Sequence, residues 1–387
     1  MKRIGYLYES ICSLDNCREA IRDAMHGKKK RGIVRKVRDN LEEYAEALHQ
    51  LLADCAYKPS PYRSITEPDP SGKLREIQVP PFWPDRCVHH ALMRVLEPII
   101  ASGSYYWSCG CQKKRGISHG MRGMERVTLG PNCMKEAKYC LKMDIKKFYP
   151  SIPHDKLMER FRRKIKDEKV IALIERIVRS CEKGVPLGNY TSAWFAHFYL
   201  QDLDTYIKAG KKNGGLGAKH YIRYVDDMTL PGRNKRELHR MRREIERFLW
   251  ERLGLRLKGN WQVFLVRKDE DERGRPIDFL GYCFCRGYTT LRKRNALALM
   301  RRSRRIRKKQ AAGEEIPYKM AAGFIARTAQ AKHCDSQNLK RDYIDTVSIK
   351  GLKEVIRNES KWRLRAARSI QHRGSTGNAG TSMRAAV

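Results

Sequence analysis

Tyr221-Ile222-Arg223-Tyr224-Val225-Asp226-Asp227-Met228-Thr229-Leu230 is the stretch on which the reading of this chain turns. Two adjacent aspartates sit between apolar, β-branched and aromatic residues. That is the pattern of a strand, a tight turn carrying the acids, and a second strand. Adjacent carboxylates repel, so keeping both ionised is costly unless a cation lies between them. An Asp pair is also what an ordinary solvated turn presents, and a third acid decides between the two readings. Leu141-Lys142-Met143-Asp144-Ile145-Lys146-Lys147-Phe148-Tyr149-Pro150-Ser151-Ile152 reads as a strand that ends on Asp144 and runs into a turn at Pro150. Three aspartates on neighbouring strands can hold two Mg²⁺ ions roughly 3.5–4 Å apart, with Asp144, Asp226 and Asp227 as ligands. Mg²⁺ suits oxygen ligands that share the ion with substrate phosphates.

Working outward, charge sets the class of partner. The chain has 387 residues, with 81 Lys plus Arg against 43 Asp plus Glu, a formal net charge of +38. Such an excess implies a polyanion, and its spread along the whole chain fits a long nucleic-acid channel better than a local membrane patch. No run of about 18 apolar residues is present, so no transmembrane helix is expected. The opening Met1-Lys2-Arg3-Ile4-Gly5-Tyr6 continues into polar sequence, without a secretory apolar core. The 12 cysteines include no C-x-x-C pair and read as reduced thiols, which together point to the cytoplasm.

Residues 9 to 55 carry a helical stripe of Val34, Val37, Leu41, Ala45, Leu48 and Leu52. A Pro-rich loop from Tyr57 to Pro70 leads into Gly72 to Pro80, the tip and return strand of a hairpin. Asp85 to Leu96 reads as a buried helix and Asp155 to Lys183 as one long helix. The latter breaks at Gly184-Val185-Pro186-Leu187-Gly188-Asn189-Tyr190-Thr191-Ser192-Ala193, a glycine loop entering a helix, where backbone can approach a ligand closely. Lys235 to Leu253 reads as a basic amphipathic helix, Leu255 to Lys258 as a short strand, and Arg275 to Phe284 as a tight hairpin around Gly281. From Thr289 onward, dense bases on a helical pattern fit sequence-independent phosphate contact.

The Tyr-Val-Asp-Asp box with the upstream Asp144 strand resembles reverse transcriptases, and the likeness covers about residues 20 to 370. It implies an α+β right-hand polymerase fold, with fingers, an antiparallel-sheet palm and a helical thumb. The family pattern divides the chain into 1–140 (N-terminal region, fingers and start of palm), 141–288 (palm, with a fingers insertion near 155–190), 289–372 (basic thumb) and 373–387 (a frayed tail). The resemblance implies Asp144, Asp226 and Asp227 as catalytic, with the Ile145 carbonyl joining them at metal. Lys73 and Arg75 on the fingers hairpin match the triphosphate grip, Tyr149 the sugar-screening aromatic, and Lys258 the lysine beside departing pyrophosphate. Leu187 and Gly188 match the loop under the nascent base pair. Arg115, in an aromatic and basic stretch from Tyr105 to His119, matches a template contact. Phe279, Leu280, Gly281 and Tyr282 match the primer grip.

The implied function is RNA-directed DNA synthesis with two Mg²⁺ ions, Mn²⁺ substituting. The implied partners are a structured non-coding RNA template, the cDNA and RNA–DNA duplex, dNTPs and an accessory protein, with no membrane. The motif style is similar to solitary bacterial enzymes, and an antiphage-defence role is expected. A diversity-generating retroelement enzyme is the first alternative: Leu187 favours it, whereas Ala193, where those enzymes carry Gln, opposes it. A maturase-like RNA-binding scaffold is the rival from another class. Intact paired acids argue against it, because carboxylates crowd phosphate without helping to bind it.

Overall fold

The computed structural model describes residues 3–28, 32–68, 72, 74–269 and 273–359. It divides into two compact units, Met1–Val266 and Arg267–Val387. The tail from 373 and the thumb range beyond 359 lie outside the described residues.

Ten strands are present in chain order among the described residues. In the first unit these are β1 (Arg63–Pro68), β2 (Leu74–Val79), β3 (Ser108–Cys109), β4 (Tyr139–Asp144), β5 (Ile222–Tyr224), β6 (Asp227–Gly232) and β7 (Gln262–Leu265). In the second they are β8 (Ile277–Phe279), β9 (Tyr282–Phe284) and β10 (Thr289–Leu291). β1 and β2 form the expected antiparallel hairpin. The central sheet has the order β3-β5-β6-β4-β7 and is antiparallel except for the short β3–β5 pair. Alternation along β4 and β6 gives this sheet two unlike faces. Leu141, Met143, Met228 and Leu230 enter the hydrophobic core, while Lys142, Asp144, Asp227 and Thr229 share the opposite face by register.

The helix Lys235–Leu253 packs behind β4, β6 and β7. Its buried residues Leu238, Met241, Ile245, Leu249 and Leu253 recur at three- and four-residue spacing, one stripe of a helix. The Asn234 side chain caps its start by accepting from the Arg236 and Glu237 amides, and Gly254 ends it in the left-handed region.

Several expectations change in detail, among them Leu255–Lys258, where an isolated bridge from Leu257 to Ile145 replaces a strand. The stripe of residues 9–55 is divided into Tyr8–Cys12, Leu14–Met25, Gly32–Asp39 and Leu41–Ala53. Asp155–Lys183 is two helices, His154–Lys164 and Glu168–Val178. Between them Ile165 bridges Ile4, and the Asp167 side chain accepts from the amides of Leu7, Tyr8, Lys169 and Val170. A long-range strand contact and an N-cap thus interrupt a continuous apolar pattern. Pro150, expected in a turn, lies in the short helix Phe148–Ser151, which follows Lys147 at φ 47°.

In the second unit β8, β9 and β10 form an antiparallel sheet of order β10-β9-β8. Thr289–Leu291, expected to begin a helix, is the last of these strands, and the helix starts at Lys293 and runs to Ala311. Tyr318–Ala331 and Gln337–Tyr343 follow, and residues 349–359 are helical. Among the described residues no helix is long and apolar enough to cross a membrane.

Candidate active site

The site is built where β4 ends beside the β5–β6 hairpin. Asp144 pairs in register with Asp227, and Asp227 with Tyr224, leaving Val225 and Asp226 as the two-residue turn. Val225 sits at φ 57°, a conformation that a β-branched residue adopts only under constraint. The constraint is visible. The Val225 amide donates to the Cys109 carbonyl at 3.0 Å, and its carbonyl accepts from Arg223 Nη1 at 2.7 Å. Gly110, at φ 124°, leaves room for the valine, because a Cβ there would stand 2.7 Å from Val225 Cγ2.

Arg223 lies on the inward face of β5, beside Tyr221, and is fully buried. A buried guanidinium is tolerable only when paired and hydrogen-bonded. Asp204, on the helix Gln201–Lys208, supplies both carboxylate oxygens to Nε and Nη2 and also accepts from the Tyr221 hydroxyl. A two-toothed ion pair in the core therefore anchors the arginine whose remaining donor holds the acidic turn.

The three aspartates have different surroundings. Asp226 is half-buried beside Asp144; desolvation first, then the Asp144 charge, pushes its carboxyl up to about 7. Asp144 Oδ2 is ion-paired with Lys258, whose amide donates to the Asp144 carbonyl at 2.8 Å. Asp144 Oδ1 is buried without a hydrogen-bond partner. Asp227 instead accepts from Lys142 Nζ at 2.9 and 3.0 Å. Among the described residues no set of three or more His, Cys, Asp or Glu side chains converges as a metal cluster. The residues fit a divalent ion on two carboxylates: Asp144 Oδ1 has no partner, and Lys258 is a single positive charge beside two adjoining acids. Asp227, on the same face, is engaged by Lys142. That lysine was missed from the sequence, although strand alternation puts it on the face of Asp144.

The nucleotide-side candidates gather around one loop. Gly188, at φ 122°, lies so close to β2 that a Cβ would collide with the Gln78 carbonyl oxygen. The Gln78 amide donates to the Leu187 carbonyl at 2.7 Å. The Val185 amide donates to the Tyr149 carbonyl at 3.0 Å, and Gly184 at φ 69° makes that approach possible. Burial, with the nearby Asp226 charge second, pushes the Tyr149 phenol up to about 12. Tyr149, Leu187, Gly188 and the end of β2 are therefore contiguous, and Tyr149 adjoins the acids. Arg75 is exposed on β2, and Lys73 lies outside the described residues.

Arg115 donates to the Tyr105 carbonyl at 3.3 Å and stands over the Tyr106 ring at 5.4 Å; the ring itself is exposed. Phe279, Leu280, Gly281 and Tyr282 belong to the second unit, as the β8–β9 hairpin. Leu280 and Gly281 form its turn at φ 56° and 90°, and Phe279 and Tyr282 are buried.

Protein YkfC of Escherichia coli K12 is 26% identical over 172 residues, 42% of this chain and 45% of that protein. The group II intron-encoded protein LtrA of Lactococcus lactis subsp. cremoris is 27% identical over 177 residues, 43% of this chain and 28% of its own length. The matched stretches thus span less than half of these curated relatives. Among solved structures, apo telomerase from Candida tropicalis truncated from its C-terminal domain gives a TM-score of 0.43 at 13% identity, covering 63% of this chain and 59% of that one. Telomerase from Candida albicans with a fragment of telomeric RNA gives 0.44 at 11% identity, covering 78% and 62%. The family described as reverse transcriptase (RNA-dependent DNA polymerase) matches residues 65–284, which include both acidic strands, the glycine loop and the β8–β9 hairpin. With that match spanning more than half of its length, the chain belongs to the reverse transcriptase family.

Proposed function

We propose that the chain synthesises DNA on an RNA template, with Asp144 and Asp226 as its principal metal-binding residues. The observation that carries this reading is the pair itself: two half-buried, adjoining carboxylates at the end of β4 and in the β5–β6 turn, with the Asp144 Oδ1 atom out of solvent and lacking a partner. Reverse transcriptases use divalent metal ions, and all-oxygen ligands favour Mg²⁺, with Mn²⁺ substituting. Bound there, such ions supply acidity toward the primer 3′-hydroxyl and neutralise charge on the triphosphate. Asp144 and Asp226, with the Ile145 carbonyl, hold that position; Asp227 serves it more weakly because Lys142 competes for its carboxylate.

The remaining roles rest on the family resemblance, and the placement of Tyr149, Leu187 and Gly188 supports them. Tyr149, next to Asp226 and backed by residues 184–185, screens the sugar of the incoming nucleotide by filling the space a 2′-hydroxyl would need. Leu187 and Gly188 line the base-pair side, where a flat backbone without a Cβ permits close approach. Arg75, with Lys73, grips triphosphate, and a guanidinium does so with two parallel donors. Lys258, paired with Asp144, is the proton donor to departing pyrophosphate in this reading. Arg115 borders the template, and Phe279 to Tyr282 present the β-turn to the primer. The template is inferred to be a structured RNA, copied in a defence role; Ala193 after Ser192 weighs against the diversity-generating alternative.

Primer extension on an RNA template in Mg²⁺, comparing the wild type with Asp226→Asn and Asp144→Asn, tests the enzymatic reading. Loss of synthesis in both, with RNA affinity retained, is the expected outcome. Undiminished extension by either variant overturns it. Sequencing the RNA and DNA that co-purify with the wild type and with Asp226→Asn tests the template: complementary DNA appears only with the wild type.

A further inference from the structure

Both polar backbone groups of Val225 are bonded, and each bond leads back to the same helix. The carbonyl accepts from Arg223, which Asp204 of the helix Gln201–Lys208 anchors. The amide donates to the Cys109 carbonyl, on β3 at the edge of the sheet. Two residues make a shorter strand than usual, so this edge has little hold of its own. The loop that leaves it, 110–115, passes through left-handed conformations at Gly110 and Lys114, φ 124° and 64°. It closes on itself: the Gly110 amide donates to the Arg115 carbonyl at 3.0 Å, and the Arg115 amide to the Gln112 carbonyl at 3.1 Å.

The Gln112 side chain ties this closed loop to the core. It is buried, and its amide nitrogen lies 2.9 Å from Nε2 of His197, on the helix Tyr190–Tyr199. The Ser104 hydroxyl lies 2.9 Å from the same imidazole nitrogen. Gln201 in turn donates to Ser104 Oγ at 3.0 Å and to the Ile100 carbonyl at 2.7 Å. Burial first, then the charges of Arg223 and Arg115, push the His197 imidazole down to about 2, so the ring is neutral near physiological pH. Gln201 and Asp204 stand one turn apart on the helix Gln201–Lys208. That turn therefore reaches Val225 by two routes. One runs through Arg223 to the carbonyl; the other runs through Ser104, His197 and Gln112 to the loop behind the amide. A chain of buried polar side chains is inferior to apolar packing unless each member is bonded. What it provides here is a fixed geometry.

We propose that Gln112 and His197 are positioning residues, the second arm of a brace that holds Val225 left-handed and so sets where Asp226 stands beside Asp144. A β-branched residue leaves that conformation once a constraint is lost, and the peptide after Val225 carries Asp226. Both residues act through the Cys109 carbonyl rather than on the reacting atoms. The same loop carries Arg115, so the proposed template contact and the acids share one support. The effect on synthesis rests on the proposed polymerase function; the brace itself does not.

The test uses the full chain and two readouts. Hydrogen exchange of the segment Tyr221–Met228 reports the Val225 amide and needs neither metal nor activity. Single-turnover primer extension across a Mg²⁺ series, at saturating duplex and dNTP, reports the acids. His197→Phe keeps a buried ring without its polar contacts, and Gln112→Leu cuts the chain at the loop. His197→Gln keeps a polar atom at the place of Nε2. In the first two variants exchange should quicken roughly tenfold, as for loss of one hydrogen bond. Extension should slow and half-saturating Mg²⁺ should rise, together by about 10–100-fold, the usual effect of removing outer partners of metal ligands. His197→Gln should recover most of both. The double variant should be no worse than either single, because the two changes break one chain. A role confined to packing would move the thermal midpoint and leave the Mg²⁺ dependence alone. Unchanged exchange in both single variants overturns the brace, and additive losses overturn the chain. Faster exchange with wild-type rate and Mg²⁺ dependence overturns the positioning role. If the wild type itself extends no primer, the polymerase reading falls, while exchange still decides the brace.

Discussion

At the scale of single residues, the site separates acids that look equivalent in the sequence. Asp226 adjoins Asp144, whereas Asp227 is bound by Lys142. Asp226→Asn should therefore lower the rate of primer extension by on the order of 10³ or more, since several kcal/mol of charge stabilisation are at stake and each 1.4 is tenfold. Asp227→Asn should cost markedly less; equal losses in single-turnover assays would refute the distinction. Arg223 permits a sharper experiment. Arg223→Met strands the buried Asp204 carboxylate and should destabilise the protein by about 3–5 kcal/mol. Adding Asp204→Leu should restore most of the unfolding midpoint but not the polymerase rate, because the Val225 carbonyl still lacks its donor. Recovery of both would make Arg223 purely structural. The Asp pair and Asp144 were legible because acids between β-branched and aromatic residues are unusual. Arg223 and Asp204 carried a fainter signal that went unread. Strand alternation puts Arg223 inward with Tyr221, and Asp204 falls on the apolar face of its helix with Leu200 and Ile207.

Among elements, the β5–β6 hairpin is held at its far end as well as at its turn. Glu136 bonds Lys219, His220 and Arg233, which precede β5 and follow β6. Those partners, Lys219 foremost, hold its carboxyl down at about 2. A depressed carboxyl adds stability that is present above its unfolded value near 4.5 and is lost as pH falls toward 2. The midpoint gap between wild type and Glu136→Gln should be widest near neutrality and close across that window; a gap independent of pH would contradict the assignment. In the helix behind the sheet, Asn234→Ala should cost about 1 kcal/mol and Leu249→Ala about 2–5, both readable in denaturant titrations. That helix was legible to its last residue because cap, stripe and terminal glycine agree. The break at Ile165 was not, since it depends on Ile4, some 160 residues away in sequence, and periodicity is blind to such partners.

For the molecule as a whole, the +38 charge dominates encounter with nucleic acid. A protein neutralising 6–10 phosphates loses about 10³–10⁵ in affinity between 50 and 200 mM salt, and duplex binding by this chain should fall within that range. A slope near zero would show that the charge serves another purpose. The excess was legible from composition alone; which cations touch phosphate and which, like Lys142 and Lys258, are spent on acids was not. Those two lysines have a consequence for the life of the protein before it meets substrate. Each supplies an internal counter-ion to an acid of the site, so the newly made chain should reach its native state without metal. A chelator should stop synthesis at once yet leave the unfolding midpoint within about a degree, unlike proteins whose metal affinity is part of their folding energy. A large chelator-induced drop would mean that the lysines do not suffice.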